Sequence, residues 1–348
     1  MRPLLLAAAL LAAPAGAQAC PGLVGSEAAN CVDARYSPTS VLSDAASKDR
    51  LYDTVDRATV AGQDGVVGLY SGAFVPFDGV PNSDPSQDVF NNGQGINQEH
   101  IFPRSRGTDN HLAERDMHHL FPTRVDVNAD RGSDPFRTIS DTAPSRWYQG
   151  DATQSATPSD PDAWSQDTSS GFEPRASVRG DVARAMFYIA ATYPDRVDAP
   201  WFESQAPTLL QWHAADPPTD AEVARSERVA GFQSGCAAGP CVNPFVTDAT
   251  LAGRVFATST TGEDRPLALA VGAPFPVPTG SAVSVPVRVR AGAEVRATVI
   301  DALGRRMGTT GRVGPGLLHI ELGALAAGVY GVRVEADGAV VSRRVVRR

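Results

Sequence analysis

Four of the chain's six histidines, His100, His111, His118 and His119, fall between Glu99 and Asn128. The stretch reads Asn97-Gln-Glu-His-Ile-Phe-Pro103, then Asp116-Met-His-His-Leu-Phe-Pro122, then Asn128-Ala-Asp-Arg131. A carboxylate, imidazoles, a carboxamide and guanidinium groups in one window are the inventory of metal-assisted hydrolysis of an anionic substrate. Cleaving a phosphodiester needs an activated water, charge neutralisation on the phosphoryl oxygens and help for the leaving oxygen. His100 is the expected general base, because neutral imidazole titrates near working pH. Glu99 and Asn128 are the expected metal ligands. Their hard oxygens suit Mg²⁺, with Ca²⁺ or Mn²⁺ as substitutes, better than a soft ion. Asn128 is a poor helix former at a mid-helix position, which points to a role other than helicity. Arg124 and Arg131 lie four before and three after it, on its face of a helix, where they would grip phosphate. Arg131 and His119 complete the expected catalytic set, and Arg104 is a second substrate-binding candidate beside Arg124.

The elements that must position these groups follow from the pattern. Ile96 to Phe102 alternates as a strand does and stops at Pro103; Met117 to Phe121 reads as a second strand stopped by Pro122. Thr123 reads as the N-cap of a short helix to Arg131, ended by Gly132 and Pro135. Strand, loop, strand, helix makes a ββα unit. On a regular strand Glu99 and His100 point to opposite faces, so they share a site only if the strand twists or ends there. His118 and His119 alternate across the second strand, so one, taken as His119, supports the site while the other packs. His111 is read as solvated, and His213 and His319 as structural. A zinc site built from the histidines is the bland alternative.

Around this unit, Val41 to Val60 reads as helix, Gly65 to Phe77 as strand, Phe77 to Gly95 as loop, and Tyr148 to Glu173 as loop or insertion. Ser177 to Tyr193 is the strongest helix, with Val178, Val182, Ala185, Met186 and Ile189 in one stripe. Thr208 to Ala215 and Asp220 to Phe232 give two more. After Ala257 the pattern changes to short alternating strands (Ser284 to Arg290, Val295 to Ile300, Leu317 to Leu322, Val329 to Glu335) between Gly-rich turns. The expected fold class is α+β. A mainly helical domain over 20–257 carries the ββα-metal motif; a linker over 258–265 leads to a small all-β, immunoglobulin-like sandwich over 266–348.

Residues 1–19 read as a signal peptide: Arg2, the apolar run Leu4 to Ala13, and an A-x-A cleavage signal at Ala17-Gln18-Ala19. Cys20 directly after it raises a lipoprotein alternative. No later segment reaches about 18 uncharged apolar residues, so no membrane span is expected. In an exported chain the four cysteines read as disulfides. Cys20 with Cys31 and Cys236 with Cys241 are the sequence-local pairs, but spacing leaves the other pairings open. Charge is uneven. Of 31 basic and 39 acidic residues, 11 and 5 fall after Arg265, leaving 20 and 34 from Met1 to Arg265. An acidic main domain argues for a local basic patch rather than a broad one.

The motifs above, with Val127-Asn-Ala-Asp-Arg-Gly-Ser-Asp-Pro-Phe136, Arg179-Gly-Asp-Val-Ala-Arg-Ala-Met-Phe-Tyr188, Leu209-Leu-Gln-Trp-His213 and Asn243-Pro-Phe-Val246, resemble those of the bacterial endonuclease I family over roughly Asp49 to Phe256. That resemblance implies a secreted or periplasmic His-Me finger nuclease, divalent-metal-dependent and non-sequence-specific, acting on DNA and often on RNA. It also implies His100 as base and Glu99 and Asn128 as metal ligands. At the C-terminus, Val299-Ile-Asp-Ala-Leu-Gly-Arg-Arg306, Leu325-Ala-Ala-Gly-Val-Tyr330 and the basic tail from Val340 are similar to a type IX secretion sorting domain, which implies that machinery as partner. A monomer is expected. The competing reading is a metal-stabilised, disulfide-stapled extracellular binding protein without catalysis.

Overall fold

A computed structural model describes residues 18–80 and 84–257, and from 269 to 348 all but 273, 276, 290–293, 302, 314–315 and 337–338. The chain divides into two compact units, Met1–Thr258 and Ser259–Arg348. The expected signal peptide, except its last two residues, and the expected linker lie outside the described residues.

The first unit opens with α1 (Gly25–Tyr36) and α2 (Asp44–Arg50), the latter capped by the Ser43 hydroxyl and running into a π-turn over Leu51–Val55. The expected helix to Val60 stops there. β1 (Arg57–Val60), β2 (Gln63–Val67) and β3 (Phe74–Pro76) form a meander, because Ala61 and Gly62 take positive φ and turn the chain. The loop expected before Gly95 contains a short helix, α3 (Pro85–Phe90), started by the Asp84 side chain and Pro85.

The ββα unit follows as β4 (Ile96–His100), β5 (Leu120–Arg124) and α4 (Val125–Arg131). Its boundaries differ from expectation. Met117–His119 is a 3₁₀ turn, fastened by the Asp116 carboxylate accepting the His118 N–H. Pro122 does not stop the strand but sits in its middle opposite Gln98. Proline is tolerated on an edge, and among the described residues β5 pairs with β4 alone. Thr123 is a buried strand residue, not an N-cap. Arg124 takes the cap position with no side-chain cap; the Val125 N–H instead donates to the Gly95 carbonyl, so the ribbon itself satisfies the helix start.

The stretch expected to be an insertion is a four-stranded sheet of β6 (Arg146–Gln149), β7 (Ala152–Gln154), β8 (Ser165–Thr168) and β9 (Gly171–Glu173), in order β7-β6-β8-β9. Its Ser, Thr and Asp residues hid the strands. α5 (Arg179–Thr192) runs through the core and is buried on nearly every side. It is followed by α6 (Ala199–Glu203), α7 (Ala206–Ala215), α8 (Asp220–Ala230), α9 (Pro244–Thr247) and α10 (Leu251–Phe256). Both disulfides are the local ones, Cys20–Cys31 and Cys236–Cys241. With its sulfur bonded, Cys20 offers no thiol for lipid attachment.

The second unit comprises two antiparallel sheets. One is β10 (Ala270–Val271), β11 (Ala282–Arg288) and β14 (Gly316–Glu321); the other orders β12 (Glu294–Ile300), β13 (Arg306–Val313), β15 (Gly328–Ala336) and β16 (Ala339–Arg347) as β13-β12-β15-β16. Alternate residues of both sheets, such as Val283 and Val285 on one and Val295, Val299, Val332 and Val334 on the other, share one apolar core. The basic tail is therefore a sheet strand. His319, expected to pack, is exposed and meets the Ser284 hydroxyl.

Candidate active site

β4 buries Glu99, which is 2% exposed. Two donors meet on its Oε1: the Tyr70 hydroxyl at 2.7 Å and Arg131 Nη1 at 3.2 Å. Burial pushes the Glu99 carboxyl above the usual carboxylate range; Arg131, Tyr70 and the His100 N–H pull the other way. The strand ends at His100, which meets the condition for neighbours of opposite facing to serve one site.

His100 stands partly exposed, with Nε2 3.0 Å from the Glu114 carbonyl. A carbonyl can only accept, so Nε2 carries the proton and Nδ1 presents a lone pair. Desolvation pulls the ring's pKa down to about 4, which keeps it neutral at working pH. His119 packs edge-on against it, centroids 5.5 Å apart, and is itself fixed by the Ala113 carbonyl at 2.7 Å. His118 turns away to the Cys241 carbonyl and the face of Tyr188. The two histidines thus diverge from a 3₁₀ turn rather than across a strand. His111 is not simply solvated: its Nδ1 caps the turn Leu112–Arg115 and its ring edges Tyr193.

Asn128 donates both amide N–H bonds, to Asn97 Oδ1 at 2.8 Å and the Gln98 carbonyl at 3.1 Å. Two acceptors fix which end is nitrogen, leaving Oδ1 turned from β4. One carboxylate and one carboxamide oxygen fit a hard cation that keeps most of its waters. Among the described residues no three His, Cys, Asp or Glu side chains are grouped to hold a metal. Each of His100, His118 and His119 is held through Nε2 by a separate carbonyl, and His118 points away from the other two rather than converging with them as a zinc site would need.

The arginines expected to grip phosphate already have internal partners. Arg131 is 1% exposed; its guanidinium lies over Phe136 and contacts Glu99 and the His100 and Ile101 carbonyls. Arg124 donates to Asp126, the Gly150 and Ala152 carbonyls and Thr153, bolting the ribbon to the β6–β7 hairpin. Helical spacing placed both on a face but could not show that their charge was already matched. Arg104 remains exposed, paired with Asp109 and Glu114. Sequence reasoning missed Tyr70 and the Glu114 carbonyl. The first lies 29 residues from Glu99, and the second is a backbone atom that any residue could supply.

The extracellular ribonuclease of Bacillus subtilis (strain 168) is 33% identical over 150 residues, covering 38% of this chain and 45% of that protein. That of Bacillus amyloliquefaciens is 31% identical over 149 residues, with the same coverage. The chain thus spans about half the length of the curated relatives it matches. Among solved structures, the BSP domain of a biofilm-associated protein overlaps 22% of this chain and 15% of its own at 24% identity and a TM-score of 0.19, too slight to bear on the fold. The Endonuclease I profile, by contrast, matches residues 34–250, more than half of the chain, a span that includes Glu99, His100 and Asn128. This chain belongs to the Endonuclease I family.

Proposed function

We propose that the protein is a secreted endonuclease that hydrolyses phosphodiester bonds of DNA, and of RNA as well, with His100 as general base and one divalent metal on Glu99 and Asn128. The observation that carries this is the His100 tautomer: a neutral ring, its Nε2–H locked to the Glu114 carbonyl, with Nδ1 open to take a proton from water. When bound, the metal, Mg²⁺ in this reading, would neutralise phosphoryl charge and assist the leaving oxygen. Glu99 and Asn128 would hold it; His119 keeps the base from swinging; Arg104 steadies a flanking phosphate. A water nucleophile needs no 2′-hydroxyl, so deoxyribose is no obstacle, and the relatives named extracellular ribonucleases favour RNA alongside DNA. Two disulfides fit an oxidising, extracellular destination reached through the periplasm.

Incubating the purified protein with plasmid DNA and with an RNA transcript, with EDTA and then with excess Mg²⁺, tests the reading. Cleavage of both that stops with EDTA and returns with Mg²⁺ is expected. A folded protein that cuts neither favours the binding-protein alternative. The second unit, two antiparallel sheets around one apolar core, serves in this reading as a type IX sorting domain. A chain ended after Ala257 should then cut DNA normally but stay in the periplasm of its host.

A further inference from the structure

We infer that the metal affinity of this site is set from outside the ββα unit, by the Tyr70 hydroxyl, a positioning residue held in place by the β6–β9 sheet. The inference rests on Glu99 being a metal ligand. Tyr70 is fully buried and its ring lies 4.7 Å from that of Phe172 on β9. Its own carbonyl accepts the Ser165 hydroxyl of β8 at 2.7 Å. The turn that carries it is fixed on both sides: Leu69 N–H donates to the Pro122 carbonyl of β5, and Gly150 N–H donates to the Ser71 carbonyl. So the sheet beyond β5 and the strand bearing the site converge on one phenol. That phenol and Arg131 both hold Glu99 Oε1, which leaves Oε2 as the oxygen that no side chain among the described residues engages. A carboxylate with one oxygen pinned by two donors offers the other in a single direction, and outer partners of this kind typically change metal affinity about 10- to 100-fold.

Tyr70→Phe keeps the ring and removes only the donor. Mn²⁺ binding to the full chain, followed by calorimetry in the absence of nucleic acid, should weaken at least about 10-fold, while the metal-free protein keeps its native circular dichroism. Glu99→Ala serves as the reference and should abolish binding. Unchanged Mn²⁺ affinity in Tyr70→Phe, with binding lost in Glu99→Ala, overturns the role of Tyr70 alone. Binding retained in Glu99→Ala overturns the ligand assignment and this inference with it.

A different observation concerns the N-terminus. Ala19 is 3% exposed and packs in the main core. Its N–H donates to Asp248 Oδ2 at 3.0 Å, and its carbonyl accepts Arg254 Nη2 at 2.8 Å. Arg254 also takes the carbonyls of Cys20 and Leu23 and pairs with Asp248. Removal after Ala19, as the A-x-A reading of residues 17–19 has it, would delete a residue that the fold uses. A second A-x-A run, Ala15-Gly16-Ala17, sits two residues earlier. The geometry points to hydrolysis of the Ala17–Gln18 bond by a leader peptidase, water adding across it, so that the mature chain begins at Gln18 and keeps Ala19 against Asp248. N-terminal sequencing and intact mass of the exported full-length product decide it. A start at Gln18 is expected; a start at Cys20, or a retained leader, overturns it.

Discussion

The acid limb of the pH–rate profile should lie far below that of an ordinary histidine enzyme. The perturbation is pH alone. Desolvation holds His100 at a pKa of about 4, against about 6.5 for an unperturbed ring. At pH 5.5 the first value leaves roughly 97% of the rings neutral and the second about 9%, a tenfold difference in competent base. The sign follows from the group's role: a base must be unprotonated, so activity is lost as pH falls through the folded-state pKa. In kcat/KM, which reports the free enzyme, the rate at pH 5.5 should stay within a few per cent of the plateau and halve only near pH 4. Burial also raises the Glu99 carboxyl, and its protonation would release a metal held there. The assay therefore uses initial rates on a short duplex at several saturating Mg²⁺ concentrations, with circular dichroism at each pH. A limb that moves with Mg²⁺ belongs to Glu99. A Mg²⁺-independent midpoint near 6.5 would refute the reasoning, since it would mean that the ring is solvated or that another group is the base.

His100→Ala should lower kcat by about 10²–10⁴-fold with the fold intact; more than a tenth of wild-type activity would remove it from the role of base. Asn128→Ala should raise the Mg²⁺ concentration for half-maximal rate, and a titration matching wild type would discard it as ligand. Arg131→Met leaves a buried carboxylate unpaired, so urea denaturation should show a loss of about 3 kcal/mol or more, whereas a stable variant with raised KM alone would restore its expected phosphate contact. Arg104→Ala should reduce the salt slope of DNA binding by about 1, while Arg124→Ala leaves it unchanged; the reverse pattern would show that the exposed and the committed arginine have been confused.

Much of the frame was legible in the residues. The α+β class, the core helix α5 and the helices α7 and α8 follow from apolar stripes, because such stripes have nowhere to go but a core. The ββα order was legible, its boundaries less so. Pro122 and Thr123 carry strong local signals, a stop and a cap, and both yield to the ladder between β4 and β5, whose Gly95 carbonyl supplies the partner that a cap would otherwise provide. The β6–β9 sheet was missed since its strands are three or four residues long and polar, so period-2 alternation had no length over which to appear.

The arginines show where sequence reading stops for a physical reason. In a domain with 32 acidic residues, an arginine near a candidate site has many internal partners to meet before any substrate arrives. Spacing along a helix gives direction; it does not give the dielectric surroundings or the carbonyls that come from distant turns. Arg131 is driven inside because Glu99, once buried by β4, would otherwise be an uncompensated charge, and Phe136 gives the guanidinium an aromatic face to lie on. The same burial that turns Arg131 inward makes Glu99 directional, and Tyr70 completes that restraint from a strand-to-strand turn 29 residues away. The direction in which Glu99 can offer an oxygen is thus set by residues whose own sequence context says nothing of it.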